Sequence, residues 1–267
     1  MTTYSLGSDN AEIARLEAQG EFLREPTRVL LEAAGLGPGM RVLDLGTGPG
    51  HVAAAVAELV GRDGEVVGVD IDPRMLEVAR ARTAHLPQVR FVEADVSQWH
   101  DETPFDAVVG RLILFHLPDP VNVVRHHLEA LGPKGRMIAL DYDIGGLRAE
   151  PANPLTDRMA ALILAGFRSV GADPTIGSRL QGILAASGLE DVTGFGIIQY
   201  LAHDDPVGPE MLSGVVRSLA PVMLAHGLAT EAELDVDTLA ERAADSLRTT
   251  GSVLVPPTLV GAWGRRP

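Results

Sequence analysis

The chain has 267 residues, with 22 Lys and Arg against 36 Asp and Glu, a formal charge of −14 at pH 7. Its 46% hydrophobic and 22% charged residues can build a full core, which excludes global disorder, and the length fits one α/β domain with insertions. So acidic a surface repels phosphate backbones, so no nucleic-acid partner is expected. The absence of cysteine excludes disulfides, thiolate metal sites, iron–sulfur clusters and a cysteine nucleophile.

In chain order, residues 9–35 carry Ile13, Leu16, Phe22, Leu23, Val29 and Leu30 at helical spacings, and the Gly35–Gly39 turn with Pro38 stops them. Short β-branched runs follow at Arg41–Leu45, Glu65–Val69, Val89–Val92, Phe105–Val109 and Arg136–Leu140. Helical stretches separate them at His51–Val60, Pro73–Thr83 and Asp119–Leu131. In the last of these Val121, Val124, Leu128 and Leu131 form one apolar stripe, and Asp119-Pro120 caps it. This alternation predicts a doubly wound α/β fold with a mostly parallel sheet buried on both faces. Residues 144–189 then read as largely helical, Val192–Leu201 as a strand, Pro209–His226 and Glu231–Arg248 as helices, and Ser252–Trp263 as a last strand. No apolar run approaches the ~20 residues that span a bilayer. The opening Met1-Thr2-Thr3-Tyr4-Ser5 lacks a basic region leading into an apolar one. A soluble cytoplasmic protein without a membrane partner is expected.

The segment Val42-Leu43-Asp44-Leu45-Gly46-Thr47-Gly48-Pro49-Gly50 reads as a strand, a glycine turn and the start of a helix at His51. Glycines there let a ligand approach the backbone, although a tight strand–helix turn alone also needs them. Two further acids decide. Asp70 follows Gly50 by 20 residues, at the end of the second strand, where a carboxylate can accept both hydroxyls of a ribose. Asp95 ends the third strand, placed for the exocyclic amine of an adenine lying across the sheet edge. Each acid alone is an ordinary cap or loop residue; three at successive strand ends point to one crevice. A nicotinamide-dependent oxidoreductase fits less well. His51 occupies the position of the third glycine of GxGxxG, and Asp44 is awkward beside a pyrophosphate.

These residues resemble class I S-adenosylmethionine-dependent methyltransferases. VLDLGTGPG is similar to the family's first motif, VVGVDIDPRML to its second and FVEAD to its third, while FDAVVGRLILFHLPDP and LGPKGRMIALDYD resemble the fourth- and fifth-strand regions. The resemblance implies a Rossmann-like, seven-stranded, mostly parallel sheet with an antiparallel last strand. It divides the chain into an N-terminal helical lid (1–35), a cofactor-binding core (36–143) and helical cap insertions with the last two strands (144–267). It implies S-adenosyl-L-methionine as cofactor, S-adenosyl-L-homocysteine as product, and a small-molecule methyl acceptor, of the kind met in natural-product metabolism, for a monomer or homodimer. Asp44 then orients the loop and meets the methionine amino group. Gly46, Thr47 and Gly48 lie against the methionine part, and Asp70 holds the ribose. Ile71 and Met75 flank the adenine, Asp95 with Val96 reads its edge, and Arg111 lies near the amino-acid end.

Methyl transfer, to oxygen or nitrogen or to an activated carbon, needs positioning and, in some acceptors, proton removal. His116, at the mouth of the fourth strand, is the candidate base, with a loop-supporting role as its alternative. The resemblance offers Tyr4 as its candidate partner from the lid, with an uninvolved tail residue as the alternative. Asp141 and Asp143 are candidate substrate contacts that also invite a metal reading. Arg111, where catechol-type enzymes carry an acid, argues against a metal. His126 and His127 read as solvated or packed. Met159, Leu162, Ile163, Phe167, Met211, Leu219, Met223 and Leu224 suit either an apolar small-molecule pocket or helix packing. A protein that binds S-adenosylmethionine without transferring its methyl group is the alternative function.

Overall fold

Strand β1 (Arg41–Leu45) is buried along almost its whole length because Val42, Leu43, Asp44 and Leu45 all face inward, on one side of the strand or the other. It pairs in parallel with β2 (Glu65–Asp70) and with β4 (Phe105–Arg111). β2 pairs in parallel with β3 (Val89–Glu93), and β4 with β5 (Leu131–Asp143). The computed structural model describes residues 10–267. With β7 (Glu190–Ile197) and β9 (Thr258–Arg265) the sheet has seven strands in the order β3-β2-β1-β4-β5-β9-β7, mostly parallel with one antiparallel strand towards its end. The strand order reverses between β1 and β4, where a doubly wound sheet opens its binding crevice at the carboxyl ends of the strands.

The chain divides into two compact units. The sheet unit comprises residues 19–141, 176–196 and 260–267. Around its sheet lie α2 (Arg24–Ala33), α3 (His51–Val60), α4 (Pro73–Arg82), α5 (Pro120–Ala130) and α7 (Leu180–Ala186). Its core runs from Leu43, Val67 and Val108 through Leu114, Val124 and Met137 to Ile183 and Leu184. At the starts of the strands Arg41 bridges Glu65 (2.6 Å) and Asp101 (3.0 Å) and stacks on Phe105, while Arg90 bridges the same two acids. This ties together the edge opposite the crevice.

The second unit comprises residues 10–18, 142–175 and 197–259. Here α6 (Pro154–Ser169) packs on α8 (Val207–Ala225), and α8 on α10 (Leu239–Thr250). Met159, Leu162, Ile163, Phe167, Leu219 and Met223 are buried, with Gly166 leaving room for Met223, so these residues form helix core, while Met211 and Leu224 are half-buried. Asn153 accepts the Leu155 and Thr156 amides at the start of α6 and donates to Ser246 and Thr250 of α10. In α1 (Asn10–Phe22) the buried Glu12 is held by Arg15 and by the Ser218 hydroxyl.

Several boundaries depart from the sequence reading. The 144–189 stretch contains a strand, β6 (Arg148–Glu150), paired antiparallel with β8 (Val253–Val255). Gly145-Gly146 before it and Pro151 after it leave too short a run for a helix, and pairing decides. Pro256-Pro257 lies inside the expected last strand and divides it into β8 and β9. The expected Glu231–Arg248 helix breaks into α9 (Glu231–Leu234) and α10, with Asp235 in the left-handed region between them (φ 34°).

Candidate active site

After β1 the chain turns through Gly46, Gly48 and Gly50, all at positive φ (63°, 50° and 80°). The turn is tied to its neighbours. The Thr47 amide donates to the Val69 carbonyl (3.0 Å), the Gly50 amide to the Thr47 carbonyl (2.9 Å), and the Ala54 amide to Gly50 at the start of α3 (3.0 Å). A Cβ at Gly50 would stand 2.9 Å from that of Ala79, and one at Gly46 would stand 2.7 Å from Ile113 Cδ1, so these two glycines are packing requirements. Gly48 differs: only the Gly46 carbonyl, at 4.0 Å, is near the place its Cβ would take. That open backbone is where a ligand can approach.

Asp44 lies beneath the turn, fully buried, and accepts the Thr47 hydroxyl at 2.6 Å. Burial pushes its pKa up to about 7; the Thr47 hydrogen bond and the Arg111 charge act against the shift, and the Asp70 charge adds to it. Asp70, at the end of β2, accepts the Gly48 amide on Oδ2 (2.8 Å) and the Asp72 amide on Oδ1 (3.0 Å). Each oxygen has a second lone pair, so two hydroxyls can still be accepted. Burial raises its pKa, and those amides oppose the rise. The turn residues Thr47 and Gly48 thus tie Asp44 and Asp70 to one glycine turn.

Beside Asp70, Ile71 is 43% exposed, an apolar surface on which a flat ring can lie. Met75 is buried on the inner face of α4, so Ile71 alone of the pair presents a free apolar surface. Beyond β3, Asp95 Oδ1 accepts both the amide and the hydroxyl of Ser97 (2.9 and 2.7 Å), which lowers its pKa, and Val96 is buried. At the end of β4 the Arg111 guanidinium donates to the Thr27 hydroxyl on α2 at 2.9 Å.

The chain reverses at Leu112, a leucine in the left-handed region (φ 55°), and enters a short 3₁₀ turn, Leu114–His116. His116 is half-buried, its ring 3.7 Å from that of Phe115 and its amide donating to the Ile113 carbonyl (3.1 Å). Asp141, a candidate substrate contact in the sequence, is buried, and its Oδ2 accepts the Leu114 amide (3.2 Å), so in this structure it supports the turn. Burial raises its pKa well above the carboxylate range, and its Oδ1 has no partner among the described residues. Asp143 caps a local turn through the Gly145 amide (3.1 Å). Tyr4 lies outside the described residues. Among those residues no group of three or more His, Asp or Glu is placed to hold a metal ion, and no helix is long and apolar enough to cross a membrane.

His127, read from the sequence as solvated or packed, is packed: it is fully buried, with Nε2 2.7 Å from the Val96 carbonyl. The signal was present: residue 127 is three after Val124 and four before Leu131, on the edge of the apolar stripe.

The cluster suits a ligand with ribose hydroxyls and a cationic group: a bare backbone cradle, two carboxylates at 44 and 70, and no phosphate-binding lysine or arginine on the turn. A family model described as a methyltransferase domain matches residues 36–175. Trans-aconitate 2-methyltransferases of Rhizobium leguminosarum and Rhizobium etli are similar to this chain. The first is 38% identical over 110 residues, 41% of each protein, and the second 30% identical over 202 residues, 67% of this chain and 77% of the relative. The match to the first thus spans about two fifths of that relative's length. Haemonchus contortus phosphoethanolamine N-methyltransferase 2, solved with phosphomonomethylethanolamine and S-adenosylhomocysteine, shares the fold over 90% of this chain and 52% of its own, with a TM-score of 0.55 at 18% identity. From its motifs, its sheet and these relatives, the chain belongs to the class I S-adenosylmethionine-dependent methyltransferases.

Proposed function

We propose that this chain transfers the methyl group of S-adenosylmethionine to an oxygen or nitrogen of a small-molecule acceptor. The observation that carries the reading is the bond from the Gly48 amide to Asp70, which joins the open glycine turn over Asp44 to the acid at the next strand end. Bound S-adenosylmethionine supplies a methyl group already activated by its sulfonium. Asp44, with Gly46, Thr47 and Gly48, holds the methionine end, where a buried carboxylate faces an ammonium. Arg111 complements the carboxylate of the same amino-acid group, and Asp70 accepts the ribose hydroxyls. Ile71 lies against the adenine, and Asp95 with Val96 takes its edge. His116, on the turn braced by Asp141, orients the acceptor or removes its proton.

The trans-aconitate relatives make carboxylates one acceptor class to try, beside phenols and amines. The test is acceptor-dependent release of S-adenosylhomocysteine from wild type and from Asp70→Ala. Release is expected with one of these classes. The variant is expected to bind the cofactor at least about tenfold more weakly, because it loses charge-assisted hydrogen bonds. Cofactor binding with no acceptor-dependent release in any class would contradict transfer and favour a protein that only binds S-adenosylmethionine. An unchanged dissociation constant in Asp70→Ala would remove that residue from the site.

A further inference from the structure

Helix α5 sets two adjacent histidines against the turn that follows β3. His127 Nε2 lies 2.7 Å from the Val96 carbonyl, His126 Nε2 lies 3.0 Å from the Trp99 carbonyl, and the rings meet edge-on at 4.9 Å. A carbonyl only accepts, so both Nε2 atoms are the protonated donors, and the bare lone pair of His127 is Nδ1. That atom is buried without a partner among the described residues. An aliphatic side chain would fill the same space without that cost, so the Nε2–H bond to Val96 is the feature that calls for an imidazole here.

Both sides of this contact are built. The helix is fixed by the Asp119 cap, by Arg125 donating to the Ala186 carbonyl (2.7 Å) and by the Ser187 hydroxyl donating to the Val121 carbonyl (3.2 Å). The turn is organised by Asp95, whose side chain takes Ser97 and whose carbonyl accepts the Gln98 and Trp99 amides (3.0 Å each). Two carbonyls of this one turn are therefore held by α5, one at each end of the segment 96–99.

We propose that His127, assisted by His126, is a positioning residue that fixes the 95–99 turn so that Asp95 meets the edge of a bound adenine, and thereby sets the preference for adenine over a purine lacking the 6-amine. The proposal rests on Asp95 being the adenine-edge acceptor, as read above. Burial holds the His127 pKa down at about 4, so the imidazole stays neutral and the donor is constant over the neutral range.

The experiment measures dissociation constants for S-adenosylhomocysteine and S-inosylhomocysteine, which carries a 6-keto group in place of the amine. Wild type is expected to prefer the adenosyl compound by at least about tenfold, since a site built for a hydrogen-bond donor rejects a ligand without it. Asp95→Ala is expected to lose the preference. If wild type has none, or Asp95→Ala keeps it, the reading of Asp95 is wrong and the inference falls with it. If the preference does depend on Asp95, the His127 variants decide. His127→Phe, which keeps bulk and loses the donor, is expected to reduce the preference to within about threefold, and His127→Gln, whose amide can reach the same carbonyl, to restore most of it. Full preference in a folded His127→Phe overturns the proposal. Should that variant not fold, His126→Leu releases only the Trp99 end; a partial loss supports the proposal and an unchanged preference overturns it.

Discussion

Asp44 is a buried acid whose charge depends on what lies beside it. With its pKa near 7, it is partly protonated at neutral pH in the free protein. A bound ammonium group favours the carboxylate, so cofactor binding is expected to release a proton there. Affinity for S-adenosylhomocysteine is then expected to rise by up to about tenfold between pH 6 and pH 8 as the carboxylate fraction grows. Calorimetry in two buffers of different ionisation enthalpy checks the proton release, and a pH-independent affinity in this range contradicts the assignment. His116 carries the acceptor-side expectation: His116→Ala is expected to lower turnover by roughly 10²–10⁴-fold with little change in cofactor affinity. Equal rates and a shared pH profile remove it from the catalytic list. An acceptor that arrives ionised, such as a carboxylate, needs no proton removed, so the size of the loss also reports the acceptor class. Asp44, Asp70 and Asp95 were legible in the sequence because each stands at or just past the end of a short apolar run. The roles of Asp141 and His127 were not, because each is set by a partner distant in the chain, Leu114 and Val96 respectively.

At the scale of elements, α5 links packing to pH. The folded protein holds His127 near pKa 4, against 6.5 for an ordinary histidine, so between these values the unfolded chain binds the extra proton. The His127 contribution is therefore full above about pH 6.5 and is lost as pH falls towards 4, on the order of 3 kcal/mol in all. Asp44 acts with the opposite sign. Its raised pKa makes the folded protein the proton binder, so its contribution falls as pH rises from about 4 to 7. Denaturant unfolding at pH 7 and pH 4.5 separates the two. His127→Gln is expected to lose less stability than wild type on acidification; an identical loss would contradict the assignment. The sheet elements were readable because β1 to β4 carry apolar runs of strand length between helical stretches. The pairing of β6 with β8 was not, since Arg148-Ala149-Glu150 has no strand pattern of its own and is a strand only by its partner. The start of β5 at Leu131 was equally hidden, because Gly132, Pro133 and Lys134 read as a turn.

For the whole molecule, the glycine turn with three acids at successive strand ends, together with a charge of −14, points to an adenosyl ligand that is cationic and carries no phosphate. A dinucleotide would place a pyrophosphate beside Asp44 and the Asp70 carboxylate, where the field opposes it. The most direct test is calorimetric titration of the purified chain with S-adenosylhomocysteine and, in parallel, with NAD at physiological ionic strength. The expected result is saturable one-to-one binding of S-adenosylhomocysteine that weakens at least about tenfold in Asp70→Ala, with no saturable heat from NAD. Tight binding of NAD with none of S-adenosylhomocysteine would contradict the account.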